Sequence, residues 1–287
     1  MAGQRGKRRM NKGYRITVLC ENTAGPISGT LGEHGFAALV EGNGVSILFD
    51  TGTGSTLLSN ALRMNRDLRR VDKVVLSHGH HDHTGGLLPL LGIRGEVEVH
   101  AHPAVFSRRY RVRDDGESVP IGIPFDESYL RGIGARFILE AGFREIAPDV
   151  FLTGQVPRRT LFEEGDQRMF LDPAGEERDP LADDQSLIIR GGKGLFLLLG
   201  CCHAGVINTI EHAVERTGEE RVRAVAGGTH LGFCPSGQLE ATIKALHACG
   251  VRGIAAGHCT GFAASARLLR EFGRGFQPAH VGYTLET

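Results

Sequence analysis

The residues of this chain best suited to chemistry lie together in Ser77-His78-Gly79-His80-His81-Asp82-His83-Thr84-Gly85-Gly86. In an extended segment residues i and i+2 point the same way, so His78 and His80 can reach one cation. A turn after His80 can direct Asp82 and His83 toward a second cation. Imidazole nitrogen suits zinc and iron, and a carboxylate adds the negative charge that such ions favour. The spacing therefore predicts a metal site rather than a histidine-rich loop without an ion.

The elements on either side of this stretch predict where it lies in the fold. Val71–Leu76, which precedes it, is rich in valine and predicts a buried strand, and Gly85–Leu91 predicts a short helix. Sites in α/β proteins lie on loops at the carboxyl ends of strands, so this loop fits such a position. The side chain of His81 should point away from His80, and we interpret it as a residue that supports the ligands or lines the rim.

The second half of the chain repeats this plan, with predicted strands that each end close to a histidine and are followed by a helix. These are Gly194–Leu199 before His203, Val222–Ala226 before His230, and Gly253–Ala256 before His258. Two strand-rich halves that each close with helices predict an α/β fold with two sheets packed face to face and helices outside, an αβ/βα sandwich.

These motifs resemble the metallo-β-lactamase superfamily. The resemblance rests on the His78–His83 cluster, on Asp50 after the predicted strand Val45–Phe49, on Gly200-Cys201-Cys202-His203-Ala204-Gly205 and on Gly257-His258-Cys259-Thr260-Gly261. It extends from about Tyr14 to His258 and implies the fold of that superfamily, with two mixed sheets.

The resemblance also implies two divalent metal ions, with zinc expected and iron or manganese as alternatives. One ion would be held by His78, His80 and His203, and the other by Asp82, His83 and His258. Asp50 would orient a ligand histidine, as carboxylates behind metal ligands do. Asp82 could also orient a shared hydroxide and take its proton, so it is a predicted catalytic residue.

One strand end departs from the pattern of the superfamily. Most members carry a bridging carboxylate at the position where this chain has Gly227-Gly228-Thr229-His230-Leu231. Either His230 is an additional ligand, or water or hydroxide alone bridges the ions, or one ion is held weakly. His230 could also donate a proton or contact the substrate, and it is the second predicted catalytic residue.

Further motifs narrow the resemblance to one group within the superfamily. Glu33-His34-Gly35-Phe36, Thr153-Gly154-Gln155-Val156-Pro157-Arg158 and Asp184-Gln185-Ser186-Leu187 occur together with the stretches above. This combination is similar to the group that contains the dihydropterin-methyl ribofuranosyl-aminobenzene phosphate synthases, which release diphosphate. It implies a transferase acting on a small phosphorylated molecule. The alternatives are a dinuclear metal hydrolase of a phosphoester or ester and a non-catalytic metal-dependent binding module.

Four residues outside the ligand set are predicted to contact the substrate: Asn22, His102, Arg158 and Asp184. Arg158 follows a predicted strand and could bind a phosphate or carboxylate, or lie exposed. A transferase must keep water from its site, so we also expect aromatic residues in two predicted loops, Tyr110–Gly134 and Phe162–Asp179, to form a wall for a pterin. The candidates for that wall are Phe125, Tyr129 and Phe162 in these loops, together with Phe137 just after the first loop.

Composition limits the classes of partner. The chain has 287 residues with 33 basic and 33 acidic side chains, so it offers no general surface for nucleic acid or membrane. It lacks the apolar run that a transmembrane helix needs. Residues 1–13 predict a disordered basic tail, and residues 14–287 predict a single domain. With no secretory signal and no C-x-x-C pair, we expect reduced cysteines, a cytoplasmic location and a small-molecule substrate. A homo-oligomer is compatible with this composition.

Overall fold

The computed structural model describes residues 13–287, so the predicted tail lies outside the described residues except for Gly13. The strands, numbered along the chain, are β1 Tyr14–Cys20, β2 Ala37–Gly42, β3 Val45–Phe49, β4 Lys73–Val75, β5 Val97–Ala101, β6 Tyr110–Val112, β7 Ser118–Pro120, β8 Ala135–Leu139, β9 Arg144–Ala147, β10 Val150–Leu152, β11 Met169–Phe170, β12 Leu187–Gly191, β13 Gly194–Leu199, β14 Val222–Gly228, β15 Gly253–Gly257, β16 Phe276–Pro278 and β17 Thr284–Glu286. The α-helices are α1 Leu57–Arg63, α2 His81–Thr84, α3 Leu87–Arg94, α4 Glu127–Gly132, α5 Val206–Thr217, α6 Ser236–Ala248 and α7 Gly261–Phe272.

Two large sheets of similar design form the body of the protein. One has the order β17-β1-β2-β3-β4-β5-β8 and the other the order β16-β15-β14-β13-β12-β10-β9. In the first sheet, β3, β4, β5 and β8 run parallel to one another. In the second sheet, β13, β14, β15 and β16 do the same, and the remaining neighbours in both sheets are antiparallel. The carboxyl ends of parallel strands meet at one edge, so the loops after β3, β4, β13, β14 and β15 come together there.

The apolar core forms three layers, which confirms the predicted αβ/βα sandwich. The middle layer joins both sheets, with Phe49 and Val40 from one and Phe196 and Leu198 from the other. A second layer packs α1 and α3 against the first sheet, and a third packs α5, α6 and α7 against the second sheet. Each large apolar side chain buried in these layers contributes about 1.5–3 kcal/mol relative to an exposed one. The assignment of residues 14–287 to one domain stays a prediction.

The first predicted loop contains β6, β7 and α4, so the prediction of irregular chain was wrong there, whereas the second is irregular apart from the two-residue strand β11. β6 and β7 form a hairpin, and β11 from the second loop pairs with β6 through Met169 opposite Arg111 and Phe170 opposite Tyr110. The second loop therefore adds a strand to the hairpin of the first. Short strands of two or three residues have too little periodicity to be recognised without their partners. Among the described residues, no helix combines the length and apolar character needed to cross a bilayer.

Candidate metal centre

Three predicted ligand histidines meet between the two sheets. His78 and His80 follow β4, whereas His203 follows β13 in the opposite sheet. Ligand nitrogens of the three rings lie within 4.8 Å of one another, and His78 Nε2 is 2.9 Å from His80 Nδ1. His80 Nε2 and both ring nitrogens of His203 are buried with no hydrogen-bond partner among the described residues. Unpaired buried polar atoms are costly, and a cation bound between the three rings would take one nitrogen from each of them.

Asp82, His83 and His258 form the second predicted group. Asp82 Oδ2 lies 3.3 Å from His258 Nε2 and 3.8 Å from His83 Nε2, and the two Nε2 atoms are 3.2 Å apart. The structure adds His34, which the sequence analysis did not propose as a ligand. Its Nε2 lies 3.3 Å from Asp82 Oδ2, although 63% of its side chain is exposed. The only signal for His34 was its place in the motif Glu33-His34-Gly35-Phe36.

Asp50 connects the two groups, in keeping with its predicted orienting role. It is fully buried after β3, and its Oδ2 accepts hydrogen bonds from His83 Nδ1 and Ser77 Oγ, both at 2.7 Å. Its Oδ1 accepts the backbone N–H of Ser77 at 2.7 Å. Ser77 Oγ in turn contacts His78 Nδ1 at 2.8 Å. One carboxylate thus positions a histidine of each group.

In three of the predicted ligand histidines, a hydrogen bond engages one ring nitrogen and leaves the other available for a cation. Nδ1 of His78 and of His83 is engaged as described above, and His258 Nδ1 donates to Asn22 Oδ1 at 2.9 Å. In each case Nε2 remains and faces the neighbouring histidines. Metal-binding histidines typically use one nitrogen for the ion and anchor the other in this way. The donor set therefore fits two divalent cations.

Electrostatics differ between the two groups. Burial lowers the pKa of His78, His80 and His203 well below the usual value, and neighbouring histidines and arginines add to this effect, so these rings are neutral. Burial also opposes a charge on His83, but the carboxylates of Asp82 and Asp50 raise its pKa to about 9. Burial would raise the pKa of Asp82, yet His83 and the hydrogen bonds from the rings of His258 and His34 hold it well below the usual range. The second group thus carries charges of both signs.

Several residues of the centre have left-handed backbone conformations that side chains other than glycine rarely adopt. Asp50, Cys202, His230 and His258 have φ values of 58°, 60°, 54° and 50°. Such conformations cost about 1–3 kcal/mol each and occur mainly at functional sites. At His258 the buried carboxylate of Glu21 accepts the backbone N–H and stabilises the turn.

A buried ion pair that the sequence analysis missed supports the histidine loop. Arg109 is 2% exposed and donates two hydrogen bonds of 2.7 Å to Asp183. Its Nε lies 2.8 Å from Asp179 Oδ2. Asp183 Oδ2 also accepts the backbone N–H of Gly79 at 2.8 Å, between the first two ligand histidines. The β6 region is thereby connected to the metal centre through charged, buried groups.

The residues predicted to contact the substrate have other roles in the structure, with physical reasons for each. Arg158 donates to the backbone oxygens of His203 and Pro180, at 2.6 and 3.2 Å, and so holds the His203 loop. Asp184 is buried and its Oδ2 accepts the N–H of Ala204 at 2.9 Å. The local backbone binds both charges, and the substrate contacts of these two residues stay predictions.

The other two residues of that set also serve the framework. His102 is buried, and its Nδ1 accepts the backbone N–H of Ala104 at 3.1 Å. Asn22 orients His258, as described above, and its Nδ2 lies 3.4 Å from His34 Nδ1. Asn22 therefore positions ligand candidates. His81, predicted as a rim residue, is half-buried, contacts the carbonyl oxygen of Ile121 at 3.2 Å and lines a cavity beside the loop.

Two cavities adjoin the centre. One, of about 410 Å³, is lined by His203 and His230 together with Asp166, Arg168 and Phe233. The other, of about 840 Å³, is lined by the following residues among others: His81, Phe106, Arg109, Tyr110 and Phe125. Of the four aromatic residues proposed as a pterin wall, Phe125 lines this second cavity. Phe137 and Phe162 pack against core layers and Tyr129 is 52% exposed, and none of the three lines either cavity. The wall stays a prediction.

Comparison with known proteins agrees with this geometry. The family model of the metallo-beta-lactamase superfamily matches residues 31–175, which include the loop that follows β4. The chain belongs to this superfamily, as its motifs predicted.

The chain is also similar to individual proteins with this fold. The chain is 31% identical to "7,8-dihydropterin-6-methyl-4-(beta-D-ribofuranosyl)-aminobenzene-5'-phosphate synthase" from Methanocaldococcus jannaschii, over 93% of this chain and 95% of that protein. It is similar to the crystal structure of Tm1679, described as a metal-dependent hydrolase of the beta-lactamase superfamily. That similarity has 31% identity, a TM-score of 0.81 and covers 96% of this chain and 99% of the other. A diphosphatase of the PhnP family shares the fold at 17% identity and a TM-score of 0.55, covering 97% of this chain and 98% of that one.

Proposed function

We propose that this protein is a metal-dependent enzyme acting on a small phosphorylated substrate, most like a dihydropterin-methyl ribofuranosyl-aminobenzene phosphate synthase. In that reaction a dihydropterin-methyl diphosphate is joined to a ribofuranosyl-aminobenzene phosphate and diphosphate leaves. The observation that carries the proposal is the meeting of six predicted ligands in two adjacent groups, in a chain 31% identical to such a synthase over nearly its whole length.

Each group would hold one divalent cation, with zinc favoured by the donor types and iron or manganese as alternatives. The first ion would bind His78, His80 and His203, and the second Asp82, His83 and His258. Bound divalent ions supply Lewis acidity toward phosphate oxygens and lower the pKa of water. Asp50 keeps the ring nitrogens of both groups aimed inward, because it is hydrogen-bonded to His83 and, through Ser77, to His78.

Asp82 is the residue we assign to proton transfer. Its carboxylate is ionised, since neighbouring imidazoles hold its pKa low, and it faces the space between His258 and His34. An ionised carboxylate in that position can orient the attacking group and accept its proton. His230 lies next to His203, with ring centroids 4.3 Å apart. We assign it to ligation rather than to proton transfer, because its ring nitrogens are unpaired and lie beside the sulfurs of Cys201 and Cys259.

The cavity of about 410 Å³ is the proposed substrate site. It opens beside His203, and its wall includes Phe233, which is 43% exposed. The guanidinium groups of Arg111 and Arg168 lie 5.0 and 5.9 Å from the Phe233 ring centroid. An aromatic ring flanked by two cations suits a substrate that combines an aromatic ring with phosphate.

A hydrolase of a phosphoester or ester is the second candidate, favoured by the similarity to Tm1679. The two candidates differ in whether a second substrate is needed for the diphosphate to leave. A non-catalytic binding module is the third. A small-molecule substrate is common to the first two, whereas a cytoplasmic location and a homo-oligomeric state stay predictions.

Single-turnover product analysis of metal-loaded protein tests these candidates. The protein would receive a dihydropterin-methyl diphosphate with and without the ribofuranosyl-aminobenzene phosphate, and a generic phosphodiester in parallel. Coupled product with diphosphate release supports the synthase. Cleavage of the diester without coupling supports the hydrolase, and no turnover of any substrate supports the binding module.

Variants make the same experiment specific for the site. His203→Ala should lose bound metal and turnover. In the wild-type protein, chelation should remove both, and added metal should restore them. His247→Ala is the matched control, because His247 lies on α6 and pairs with Glu271 at the surface, 2.9 Å away. Full metal content and turnover in His203→Ala would contradict the proposed site.

A further inference from the structure

A third group of metal-ligating side chains lies at the same edge, and no role has been assigned to it as a unit. Its members are Cys201, His230 and Cys259, which follow the neighbouring strands β13, β14 and β15. Their ligand atoms all lie within 4.8 Å of one another. Three adjacent strands thus each contribute one donor to one point.

The backbone between the two cysteines is shaped to let the thiols approach. Gly228 lies at the end of β14, between the strands that carry Cys201 and Cys259. A Cβ atom at this position would lie 2.7 Å from Cys259 Sγ and 3.4 Å from Cys201 Cα. The same Cβ would lie 2.3 Å from the backbone oxygen of Gly200, so the neighbouring backbone as well as the Cys259 thiol requires glycine at position 228.

The side chains of His230 and Asp166 lack the hydrogen-bond partners that buried polar groups normally have. Both ring nitrogens of His230 and Oδ2 of Asp166 are buried without a hydrogen-bond partner among the described residues. Both cysteines are buried as free thiols. The backbone N–H of His230 points at Cys259 Sγ, 3.2 Å away, which favours negative charge on that sulfur. A cation here would bind both sulfurs and one ring nitrogen of His230.

The donor types specify the class of ion. Two sulfurs and one imidazole form a soft set that selects zinc or ferrous iron over magnesium, calcium or manganese. Asp166 Oδ2 lies 3.6 Å from His230 Nε2, in the position of the carboxylates that orient metal-binding histidines. Cys201 Sγ is also 3.2 Å from His83 Nε2, so this group adjoins the Asp82 group.

We propose that Cys201, Cys259 and His230 bind a thiophilic divalent cation, with Asp166 as the positioning residue behind His230. Zinc is the ion that this donor set favours, and it would lie beside the two cations proposed above. The proposal concerns binding alone. It is tested on resting protein, so it stands or fails separately from the proposed reaction.

Cobalt substitution provides the test, because thiolate ligands give Co²⁺ a near-ultraviolet charge-transfer band that histidine and carboxylate ligands do not. Cobalt-loaded wild-type protein should show this band, and both Cys201→Ser and Cys259→Ser should weaken or remove it. Cys202→Ser is the matched control. Its thiol is equally buried and adjacent in sequence, but it contacts Thr209 Oγ1 at 3.3 Å instead of the group.

Metal content gives a second readout that does not depend on the colour of the protein. The zinc content of Cys259→Ser should fall by one ion per chain relative to Cys202→Ser, and Asp166→Asn should bind that ion about 10–100-fold more weakly. A charge-transfer band of wild-type strength in the Cys201→Ser/Cys259→Ser double variant would overturn the proposal. Absence of the band from wild-type protein that is fully loaded with cobalt would also overturn it.

Two further outcomes are decisive. If mass spectrometry of the protein purified without reductant shows a Cys201–Cys259 disulfide and no zinc at this position, the pair is a redox element and the cation proposal is wrong. If His230→Gln keeps the band and the metal content but loses turnover, His230 is a catalytic residue, and its assignment as a ligand is overturned. If wild-type protein shows the charge-transfer band but does not turn over the proposed substrates, the proposed reaction is wrong and the cation site stands.

Discussion

Replacing Asp50 by asparagine should weaken metal binding by both histidine groups, although it changes only one oxygen to an NH₂ group. Three donors converge on this carboxylate: the N–H and Oγ of Ser77 and Nδ1 of His83, all at 2.7 Å. An asparagine has a single acceptor oxygen. If that oxygen faces the Ser77 N–H, the NH₂ group faces His83 Nδ1, and the ring proton must move to Nε2. His83 then presents a proton where it should present a lone pair.

The opposite orientation of the amide is no better. The oxygen then keeps Ser77 Oγ and His83, but the NH₂ group meets the Ser77 N–H in a fully buried position. An unmade hydrogen bond there costs about 1–3 kcal/mol. Groups that orient metal-binding histidines change affinity by about 10–100-fold, which corresponds to roughly 1.4–2.8 kcal/mol. The two estimates agree, so we expect a loss of that size.

Competition against a chromophoric chelator measures the affinity, and urea denaturation of the metal-free protein measures the stability. Asp72→Asn is the matched control, because Asp72 Oδ2 accepts the Ser46 N–H at 2.8 Å on the exposed side of the same sheet. Wild-type affinity for both ions in Asp50→Asn would show that the carboxylate does not orient the ligands, and the argument from hydrogen bonding would be wrong.

The remaining predictions concern stability. Arg109→Met should lower the free energy of unfolding by about 3–5 kcal/mol, because it leaves Asp183 buried without its cation; an unchanged urea midpoint would refute this. Burial and nearby cations lower the pKa of His100 to about 4, so between pH 6.5 and 4 the unfolded chain binds a proton that the folded protein excludes. Stability should therefore fall as pH decreases through this range, by about 3 kcal/mol at most, and His100→Phe should show a smaller fall in urea titrations at several pH values. Glu163→Ala should cost about 0.5–2 kcal/mol, because this carboxylate accepts two N–H groups at the start of α5, each at 2.8 Å; equal melting of the two proteins would contradict this.

Much of the fold and the centre of the site can be predicted from the sequence for a physical reason. The i, i+2 spacing of His78 and His80 and the histidines after β13 and β15 are local signals, and parallel strands bring their carboxyl ends to a common edge. The orienting role of Asp50 came from the resemblance to the superfamily, because a carboxylate after a strand could equally cap a turn. The predicted sandwich is confirmed. It could be predicted because the spacing of apolar residues specifies which faces of the strands and helices pack together.

The third donor group, the buried ion pair and the hydrogen bonds of the predicted substrate residues could only be read from the tertiary structure. Cys201 and Cys259 lie far apart in the chain, and each alone resembles a small packing residue. They meet because β13 and β15 flank β14 and because Gly228 carries no side chain. Arg109 and Asp183 likewise form their pair across segments whose local patterns say nothing of each other. Spacing along the chain therefore determined which strand ends carry donors, whereas packing decided which donors share one point, because that depends on contacts between segments distant in sequence.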